Sequence, residues 1–221
     1  MFKILTAAAT AMAVTAEAPP VKVEFYMESQ CPYCQDFAVG PLERTLEKPD
    51  MAAIMDLKIV AYGNTKKNDD GSFDCQHGVG ECESDVYESC VQYKLSGDIN
   101  SIESGDTTMA AWPFILCMEE ADGAPSEAES CFASTMNSTA LSWSTVEDCF
   151  KNEADVVQNA AMKATPDHDY VPWVLVDGVL LENTNMLTKA VCDAYTGTPP
   201  ASCRFSGEAV VTGKAGHSDN H

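Results

Sequence analysis

Residues 21–37 read VKVEFYMESQCPYCQDF and place two cysteines shortly after a predicted strand. The first seven residues alternate apolar and polar side chains and are rich in β-branched and aromatic types, which predicts a β-strand over 21–27. Pro32 suits the first turn of a helix, where a backbone N–H would have no partner. The stretch therefore predicts a strand that leads into a helix, with Cys31 and Cys34 at the start of that helix.

The segments that follow set the fold class. Residues 55–63 (MDLKIVAYG) predict a second strand, and the polar stretch 64–72 predicts a loop. The pattern over 75–163 is mostly helical. A strand, an Asp-Gly turn and a second strand are then predicted over 167–181, because Asp-Gly between apolar runs favours a hairpin. A closing helix is predicted over roughly 185–195.

This order of elements predicts an α/β protein with a thioredoxin-like fold and a helical, disulfide-rich insertion after the second strand. We predict the two parts of the thioredoxin-like domain at 17–63 and 166–203. The insertion is predicted at 64–165, and a disordered tail at 204–221.

Pro172 is a candidate for substrate binding. Thioredoxin-like folds carry a cis-proline at the start of the strand that faces the redox helix, and Pro172 stands at that place in the predicted order. The backbone there can pair with an extended peptide, so we predict that Val171 and Pro172 bind substrate. An ordinary trans-proline at a strand start is the alternative.

Composition narrows the class of partner. The 221 residues are 45% hydrophobic, as in soluble globular proteins. A formal charge of −21, from 34 acidic against 13 basic residues, argues against nucleic-acid partners, because phosphate binding needs clustered Lys and Arg. An acidic balance is tolerated at low pH, where protonation of Asp and Glu relieves their mutual repulsion.

The N-terminal residues predict entry into the secretory pathway. Residues 1–16 (MFKILTAAATAMAVTA) have one lysine, a largely apolar run and small residues at the end, which is typical of a signal peptide. A buried N-terminal helix is the alternative. No later stretch has the ~18 uninterrupted apolar residues of a membrane span, so we expect no membrane insertion. Ten cysteines and the sequon at Asn137, a predicted glycosylation site, fit an oxidising lumen.

The spacing of Cys31 and Cys34 alone allows a structural disulfide, half of a metal site or a redox pair. A thiol attacks only as its thiolate, and the positive end of a helix favours that form at Cys31. We therefore predict an exposed Cys31 nucleophile of lowered pKa and a resolving Cys34. A zinc site would add ligands such as Cys75 and His77, but the later cysteines do not resemble a second ligand pair, so we predict no metal.

Four stretches of the chain carry a family resemblance. They are the strand with C-P-Y-C, CQHGVGECESDVYESC (75–90), LCMEE (116–120) and YVPWVLVDG (170–178). The second resembles the signature C-Q-H-G-x-x-E-C-x-x-N-x-x-x-x-C of the gamma-interferon-inducible lysosomal thiol reductase family. The likeness runs from about residue 21 to Cys203. The Asn of the signature falls on Asp85 here. Both side chains can accept hydrogen bonds, but only Asn also donates.

The resemblance implies an enzyme that reduces protein disulfides at acidic pH in endosomes and lysosomes, or after secretion. It implies disulfide-bonded protein substrates, a small-molecule or protein thiol as reductant, and no cofactor. We interpret His77 as a residue that orients the cysteine-rich loop rather than as a proton donor. The eight other cysteines allow 105 pairings, and we expect four structural disulfides, with Cys192–Cys203 closing the C-terminus.

Two other hypotheses stay open from the sequence. The direction of electron flow comes only from the resemblance, so a disulfide oxidase or isomerase on the same fold is the first. A non-catalytic, cysteine-rich secreted binding protein, with every cysteine locked, is the second. A reduction potential separates the enzymes, and thiol counting separates either enzyme from the binding protein.

Overall fold

Residues 18–204 are described by the computed structural model, so the predicted signal peptide and all but the first residue of the predicted tail lie outside the described residues. The strands are β1 (Val21–Met27), β2 (Met55–Ala61), β3 (Lys66–Lys67), β4 (Phe73–Asp74), β5 (Trp173–Val176) and β6 (Val179–Leu180). The helices are α1 (Pro32–Phe37), α2 (Glu43–Leu46), α3 (Pro49–Ala52), α4 (Val79–Ser96), α5 (Ser101–Ser104), α6 (Thr108–Glu120), α7 (Ala128–Thr135), α8 (Trp143–Asn152), α9 (Ala154–Ala164) and α10 (Leu187–Ala194).

The main sheet has the strand order β2-β1-β5-β6. β1 pairs with β2 in parallel and with β5 in the antiparallel sense, with Tyr26 opposite Trp173. Because β1 ends where β5 begins, the chain after β1 and the chain before β5 leave the sheet at the same edge. This topology brings the segment of Cys31 toward the segment of Pro172, which lie far apart in the sequence.

β1 lies deep in the protein. Its alternating pattern predicts one buried face, yet six of its seven residues are buried and Glu24 is only 9% exposed. The Tyr26 hydroxyl donates a hydrogen bond to the Glu24 carboxylate at 2.9 Å, and the ammonium of Lys58 lies 3.6 Å from it. Lys58 lies on the neighbouring parallel strand, β2, so the carboxylate of Glu24 is buried together with a positive charge.

The helix that follows the cysteines changes its winding at Pro41. A π-helical turn over Ala38–Leu42 separates α1 from α2 and contains this proline. Proline lacks the N–H that an α-helical bond requires, and the wider turn accommodates it. Phe37 packs edge-on against Phe25 of β1, with ring centroids 4.8 Å apart, and this contact fixes the helix on the sheet.

The insertion between β2 and β5 consists mainly of α4 to α9. The stretch 64–72, predicted as a loop, contains β3, which pairs with β4 in a hairpin of two residues per strand. In the turn between them, Gly71 adopts φ +89° and Asp70 accepts hydrogen bonds from the backbone N–H and hydroxyl of Ser72. Four disulfides are present, and the predicted closure of the C-terminus is confirmed among them: Cys75–Cys82, Cys90–Cys149, Cys117–Cys131 and Cys192–Cys203. Within 18–204, no helix has both the length and the apolar character needed to cross a membrane.

The predicted Asp-Gly hairpin is present between β5 and β6. Asp177 has φ 47° and Gly178 has φ 77°, the two positive values that a tight hairpin turn with matching twist requires. The backbone N–H of Lys22 donates to the Asp177 carboxylate at 2.8 Å, which ties this turn to β1.

A turn of the insertion packs directly on the segment before the cysteines. Gly123, after α6, has φ +60°, and a Cβ atom there would lie 2.0 Å from the carbonyl oxygen of Ser29. Its own carbonyl oxygen accepts hydrogen bonds from the side chains of Gln30 (3.0 Å) and Ser84 (2.7 Å). The insertion therefore helps to support the segment that leads to Cys31 and Cys34.

We expect Gly123→Ala to destabilise the protein more than Gly97→Ala. Both glycines have positive φ, but no atom lies within 4 Å of a Cβ placed at Gly97. The left-handed conformation costs about 1–2 kcal/mol in either variant. The contact with Ser29 adds about 1–3 kcal/mol at Gly123 alone, as overpacking does. Urea unfolding of the two variants measures the difference, and equal midpoints would contradict the proposed packing.

Candidate active site

The two cysteines predicted to react are free thiols at the start of α1. Cys31 is the N-cap residue and Cys34 lies one turn later, with its N–H donating to the Cys31 carbonyl at 3.0 Å. Cys31 is 5% exposed and Cys34 is fully buried. The prediction of an exposed nucleophile is wrong in this respect, because the side chain packs into the core cluster beside α1.

The thiol of Cys31 is acidified by its partner. The pKa of Cys31 is lowered to about 6, chiefly because the Cys34 side chain donates a hydrogen bond to its thiolate. Burial opposes this effect, and the backbone N–H groups of Cys34 and Tyr33 at the helix start assist it. The helix N-terminus that the sequence indicates thus contributes, but the neighbouring thiol is the larger cause.

Cys34 has the opposite character. Burial raises its pKa far above the ordinary value of a thiol, and both the hydrogen bond to Cys31 and the negative charge of Cys31 raise it further. One thiol is thus held ready as a thiolate while the other keeps its proton. This asymmetry is what a pair needs if one sulfur attacks first and the other follows.

A cavity beside α1 joins the cysteine helix to Pro172. The Val171–Pro172 peptide bond is cis, as predicted from the place of Pro172 in the order of elements. The cavity has a volume of about 540 Å³, and Tyr33 and Phe37 of α1 line it together with Val171 and Pro172. Tyr33 is 73% exposed at its rim. The fold therefore brings the predicted substrate-binding residues and the redox helix to one surface.

The zinc interpretation of the cysteines does not fit the structure. Cys75, a candidate ligand in that interpretation, is bonded to Cys82. The described residues place Glu28, His77 and Glu81 with possible ligand atoms within 4.8 Å of one another. The His77 ring nitrogen is already hydrogen-bonded to Glu81, and the His77 N–H donates to the other oxygen of that carboxylate at 3.0 Å. These contacts support the interpretation of His77 as a residue that orients the cysteine-rich loop.

A group of buried acids lies near the cysteines, and the sequence pattern did not indicate their burial. Asp85, Glu88 and Glu119 are 3%, 0% and 2% exposed. Asp85 accepts a hydrogen bond from the backbone N–H of Ser29 at 3.0 Å, in the segment that leads to Cys31. Asp85 and Glu88 lie in the stretch 75–90 and Glu119 lies in LCMEE, so the family resemblance includes all three, but helical positions such as these do not show in the sequence whether an acid is buried.

Burial changes the chemistry of Asp85. Its pKa is raised to about 8, mainly because the carboxylate would be removed from water. Below that pH the group is a neutral acid with one donor and one acceptor side. Asp85 then donates as well as accepts hydrogen bonds, as the Asn that the resembling signature has at this position does, although with one donor instead of two.

Comparison with known proteins identifies the family of the chain. A sequence model of the family described as gamma interferon inducible lysosomal thiol reductase matches residues 22–135. The chain is 32% identical over 199 residues to the gamma-interferon-inducible lysosomal thiol reductase of Carassius auratus, which covers 84% of this chain and 73% of that protein. It is 32% identical over 188 residues to the protein of the same name from Mus musculus, covering 81% of this chain and 70% of that protein.

A solved structure bears on the fold. The crystal structure of oxidised BdbD from Bacillus subtilis matches with a TM-score of 0.51 at 15% identity, over 79% of this chain and 84% of that one. At this identity the likeness concerns the fold alone. The predicted thioredoxin-like fold is confirmed.

In the reduced protein, we expect the rate at which iodoacetamide alkylates Cys31 to rise with pH, with a midpoint near pH 6. Mass spectrometry of the peptide that contains Cys31 measures this rate. Cys34→Ala removes the side-chain donor, so the midpoint should rise by at least about one pH unit toward the ~8.5 of an ordinary thiol. Cys34→Ser keeps a hydroxyl donor and should shift the midpoint less. Equal midpoints in the two variants would show that the hydrogen bond from Cys34 is not the cause.

We expect Asp85→Asn to flatten the dependence of stability on pH. Because the folded pKa of Asp85 is raised to about 8, the unfolded chain ionises at lower pH than the folded one. Stability is therefore fully present below about pH 4 and declines as the pH rises to about 8, by at most ~1.4 kcal/mol per unit. The difference in free energy of unfolding, variant minus wild type, should therefore increase by roughly 2–4 kcal/mol between pH 4.5 and 7.5.

Urea unfolding at several pH values measures this gain, and the difference between variant and wild type cancels other titrating groups. Asp56→Asn, at an exposed position of β2, is the matched control and should run parallel to the wild type. A constant difference between Asp85→Asn and the wild type over the whole range would contradict the raised pKa.

Proposed function

The chain belongs to the gamma interferon inducible lysosomal thiol reductase family and is a thiol-disulfide oxidoreductase, and from its site we propose that it reduces protein disulfides with Cys31 as the attacking thiol. The family supports the direction of electron flow, and the observation that carries the assignment of Cys31 as the attacking thiol is the asymmetry of the pair. The pKa of Cys31 is lowered to about 6, whereas the buried Cys34 retains its proton.

The reaction has two exchanges. The Cys31 thiolate attacks one sulfur of the substrate disulfide, forms a mixed disulfide and releases the other substrate sulfur as a thiolate. Cys34 then loses its proton and attacks the Cys31 sulfur, which releases the second substrate thiolate. Two electrons pass from the enzyme to the substrate, and the enzyme is left with a Cys31–Cys34 disulfide. A small-molecule or protein thiol returns it to the dithiol form.

Substrate binding is proposed at the cavity beside α1. Val171 and Pro172 lie at the start of β5, where an extended peptide can align along backbone that is not yet part of the sheet. Tyr33 and Tyr170, both exposed, offer aromatic surface on the two sides of the same cavity. A disulfide presented there would lie against α1, which contains Cys34 and follows directly on Cys31.

We propose that the enzyme works at acidic pH, and the titration of the site supports this. At pH ~5 a thiol of pKa about 6 is about one tenth thiolate, against roughly 0.03% for a thiol of ordinary pKa. The buried carboxyl groups of Asp85, Glu88 and Glu119 have raised pKa values and are neutral under the same conditions, which removes the cost of buried charge. Both effects allow the folded enzyme to work where most thiols are inactive.

We propose a lysosomal, endosomal or secreted location. The names of the matched relatives and the four disulfides support passage through an oxidising lumen. Asn137, the predicted glycosylation site, is exposed in the turn after α7, as a site for an oligosaccharide must be. The hypothesis of a non-catalytic binding protein with all cysteines locked is rejected, since Cys31 and Cys34 are free and the family is enzymatic.

The oxidase or isomerase hypothesis is tested by the reduction potential of the Cys31–Cys34 couple. A value near ~−120 mV would mark a strong oxidant, and a much lower value favours a reductase. A thiolate stabilised on Cys31 moves the couple toward oxidising strength, so this measurement decides the direction of electron flow independently of the family.

The test of the mechanism is a trapping experiment with a disulfide-bonded protein at pH ~4.5 and ~7. Cys34→Ser should accumulate a covalent mixed disulfide through Cys31, because the resolving thiol is absent, and its turnover should fall by at least about 10²-fold. Cys31→Ser should form no adduct and show no activity. Adducts on Cys31→Ser but not on Cys34→Ser would reverse the two roles, and adducts on neither would sink the proposed reaction.

A further inference from the structure

The loop closed by the Cys75–Cys82 disulfide carries a cluster of polar side chains that the two exchanges do not use. His77 and Glu81 belong to this loop, and Glu28 reaches them from its place directly after β1. One nitrogen or oxygen atom of each side chain lies within 4.8 Å of those of the other two. The cluster therefore joins the insertion to the segment that leads to the thiols.

Glu28 has a carboxyl oxygen without a hydrogen-bond partner. Its side chain is 0% exposed. Oε1 accepts a hydrogen bond from the backbone N–H of Asn64, whereas Oε2 has no such partner within residues 18–204. Oε2 points into the cluster and lies 3.5 Å from Nδ1 of His77. A buried oxygen without a partner is costly, so its position beside an imidazole points to a ligand that both groups bind.

Packing and backbone contacts fix the two glutamates in this direction. A Cβ atom at Gly63, which has φ +48°, would lie 2.4 Å from Cγ of Glu28, so the turn after β2 leaves room for that side chain only with glycine. Oε1 of Glu81 accepts from the backbone N–H of His77 at 3.0 Å. One oxygen of each carboxylate is thus held by the backbone and the other faces His77. Contacts of this kind orient the ligands of metal ions in proteins.

The charges of the cluster match a divalent cation. His77 is the ion-pair partner of both Glu28 and Glu81, and the two glutamate side chains are 0% exposed. A protonated imidazole offsets only one of two carboxylates, and an unpaired buried charge is costly. A divalent cation beside a neutral imidazole neutralises both.

We propose that Glu28, His77 and Glu81 bind one divalent transition-metal cation, for which Zn²⁺ is the best match. Imidazole and carboxylate ligands suit Zn²⁺, whereas Ca²⁺ takes six to eight oxygen ligands. With bonds of about 2.0–2.1 Å, the ligand atoms of a tetrahedral zinc ion lie about 3.3 Å apart. The 3.5 Å between His77 Nδ1 and Glu28 Oε2 is close to this value.

This site differs from the zinc site that the sequence suggested, because none of its ligands is a cysteine. The prediction of no metal considered cysteine ligands, and the proposal replaces it. The inference does not rest on the proposed function, since neither Cys31 nor Cys34 takes part in binding.

The hydrogen bond between His77 Nδ1 and Glu81 is compatible with metal binding. Such a bond requires a proton on one of the two groups. Metal ligands bind without that proton, so the cation displaces it. The His77 side chain is 30% exposed, which gives the ion a path from solvent and lets the ring move outward. The fourth position of a tetrahedral ion is then left to water.

A bound cation would hold the insertion against the cysteine segment. The carbonyl oxygen of Glu28 accepts a hydrogen bond from the backbone N–H of Cys31 at 3.1 Å. His77 and Glu81 are held by the Cys75–Cys82 disulfide on the other side of the ion. The three ligands thus connect a covalently closed loop to the residue that precedes α1.

Zinc binding is measured by isothermal titration calorimetry on metal-free protein with Cys31 and Cys34 oxidised to their disulfide, because free thiolates also bind zinc. A pH of ~7.5 is used, since protons compete for the ligands. We expect one Zn²⁺ per chain. His77→Ala and Glu28→Gln should each raise the Kd at least about 10²-fold, because even the loss of an outer contact to a ligand costs about 10–100-fold. His168→Ala, at a histidine outside the cluster, is the matched control and should leave the Kd unchanged.

Two further measurements separate a metal site from a structural role. X-ray absorption of the zinc complex should show nitrogen or oxygen ligands at about 2.0–2.1 Å and no sulfur at about 2.3 Å. In urea unfolding, Zn²⁺ at about 100 times the Kd should lower the unfolding equilibrium constant of the wild type about 10²-fold and that of His77→Ala much less. If Glu28→Gln does not fold, His77→Ala carries the test, because His77 is partly exposed.

Several results would overturn the inference. Wild-type protein without saturable zinc binding is one, and an unchanged Kd in His77→Ala is another. Sulfur in the absorption spectrum, or Ca²⁺ bound as tightly as Zn²⁺, would contradict the ligand set. The other two histidines of the chain, His217 and His221, provide a last control. Binding that is lost in the double variant His217→Gln/His221→Gln and kept in His77→Ala would place the ion outside the cluster.

Discussion

The hydrogen bond from the buried Cys34 thiol to the Cys31 sulfur is the interaction on which the site depends. It lowers the pKa of Cys31 and raises that of Cys34 at the same time, so one contact decides which thiol attacks and which waits. The contact exists because α1 starts at Pro32 and places the two side chains one turn apart. Burial of Cys34 strengthens the asymmetry, since a buried thiol keeps its proton.

The sheet and the insertion hold this pair from opposite directions. The antiparallel pairing of β1 with β5 brings the cis-peptide before Pro172 to the edge of the sheet from which the cysteine segment departs. From the other side, Gly123 and Asp85 of the insertion contact the backbone of Ser29, two residues before Cys31. The disulfides Cys90–Cys149 and Cys117–Cys131 fix the helices that carry these contacts.

The acidic character of the chain has two parts with different consequences. Most of the charge behind the net value of −21 lies in exposed side chains, whose repulsion weakens as the pH falls. The buried acids behave differently, because Asp85, Glu88 and Glu119 are stable as neutral groups and resist ionisation. Both parts favour the folded state at low pH. Reactivity requires the thiolate of Cys31, however, and the thiolate fraction falls as the pH drops below the pKa of about 6.

The sequence by itself determined the strand before the cysteines, the start of α1 at Pro32, the Asp-Gly hairpin and the order of elements, because each depends on local periodicity or on the backbone preferences of proline and glycine. It also indicated Cys31 and Cys34 by their spacing at a helix start, and Pro172 by its place in the order of elements. Only the tertiary structure decided that Cys31 is nearly buried, how the cysteines other than Cys192 and Cys203 pair, and that Asp85, Glu88 and Glu119 are buried near the thiols. These properties arise from the packing of α4 against α6 and from the contact of Asp85 with the segment before Cys31. An acid on a helix looks the same in the sequence whether water or another carboxyl group faces it.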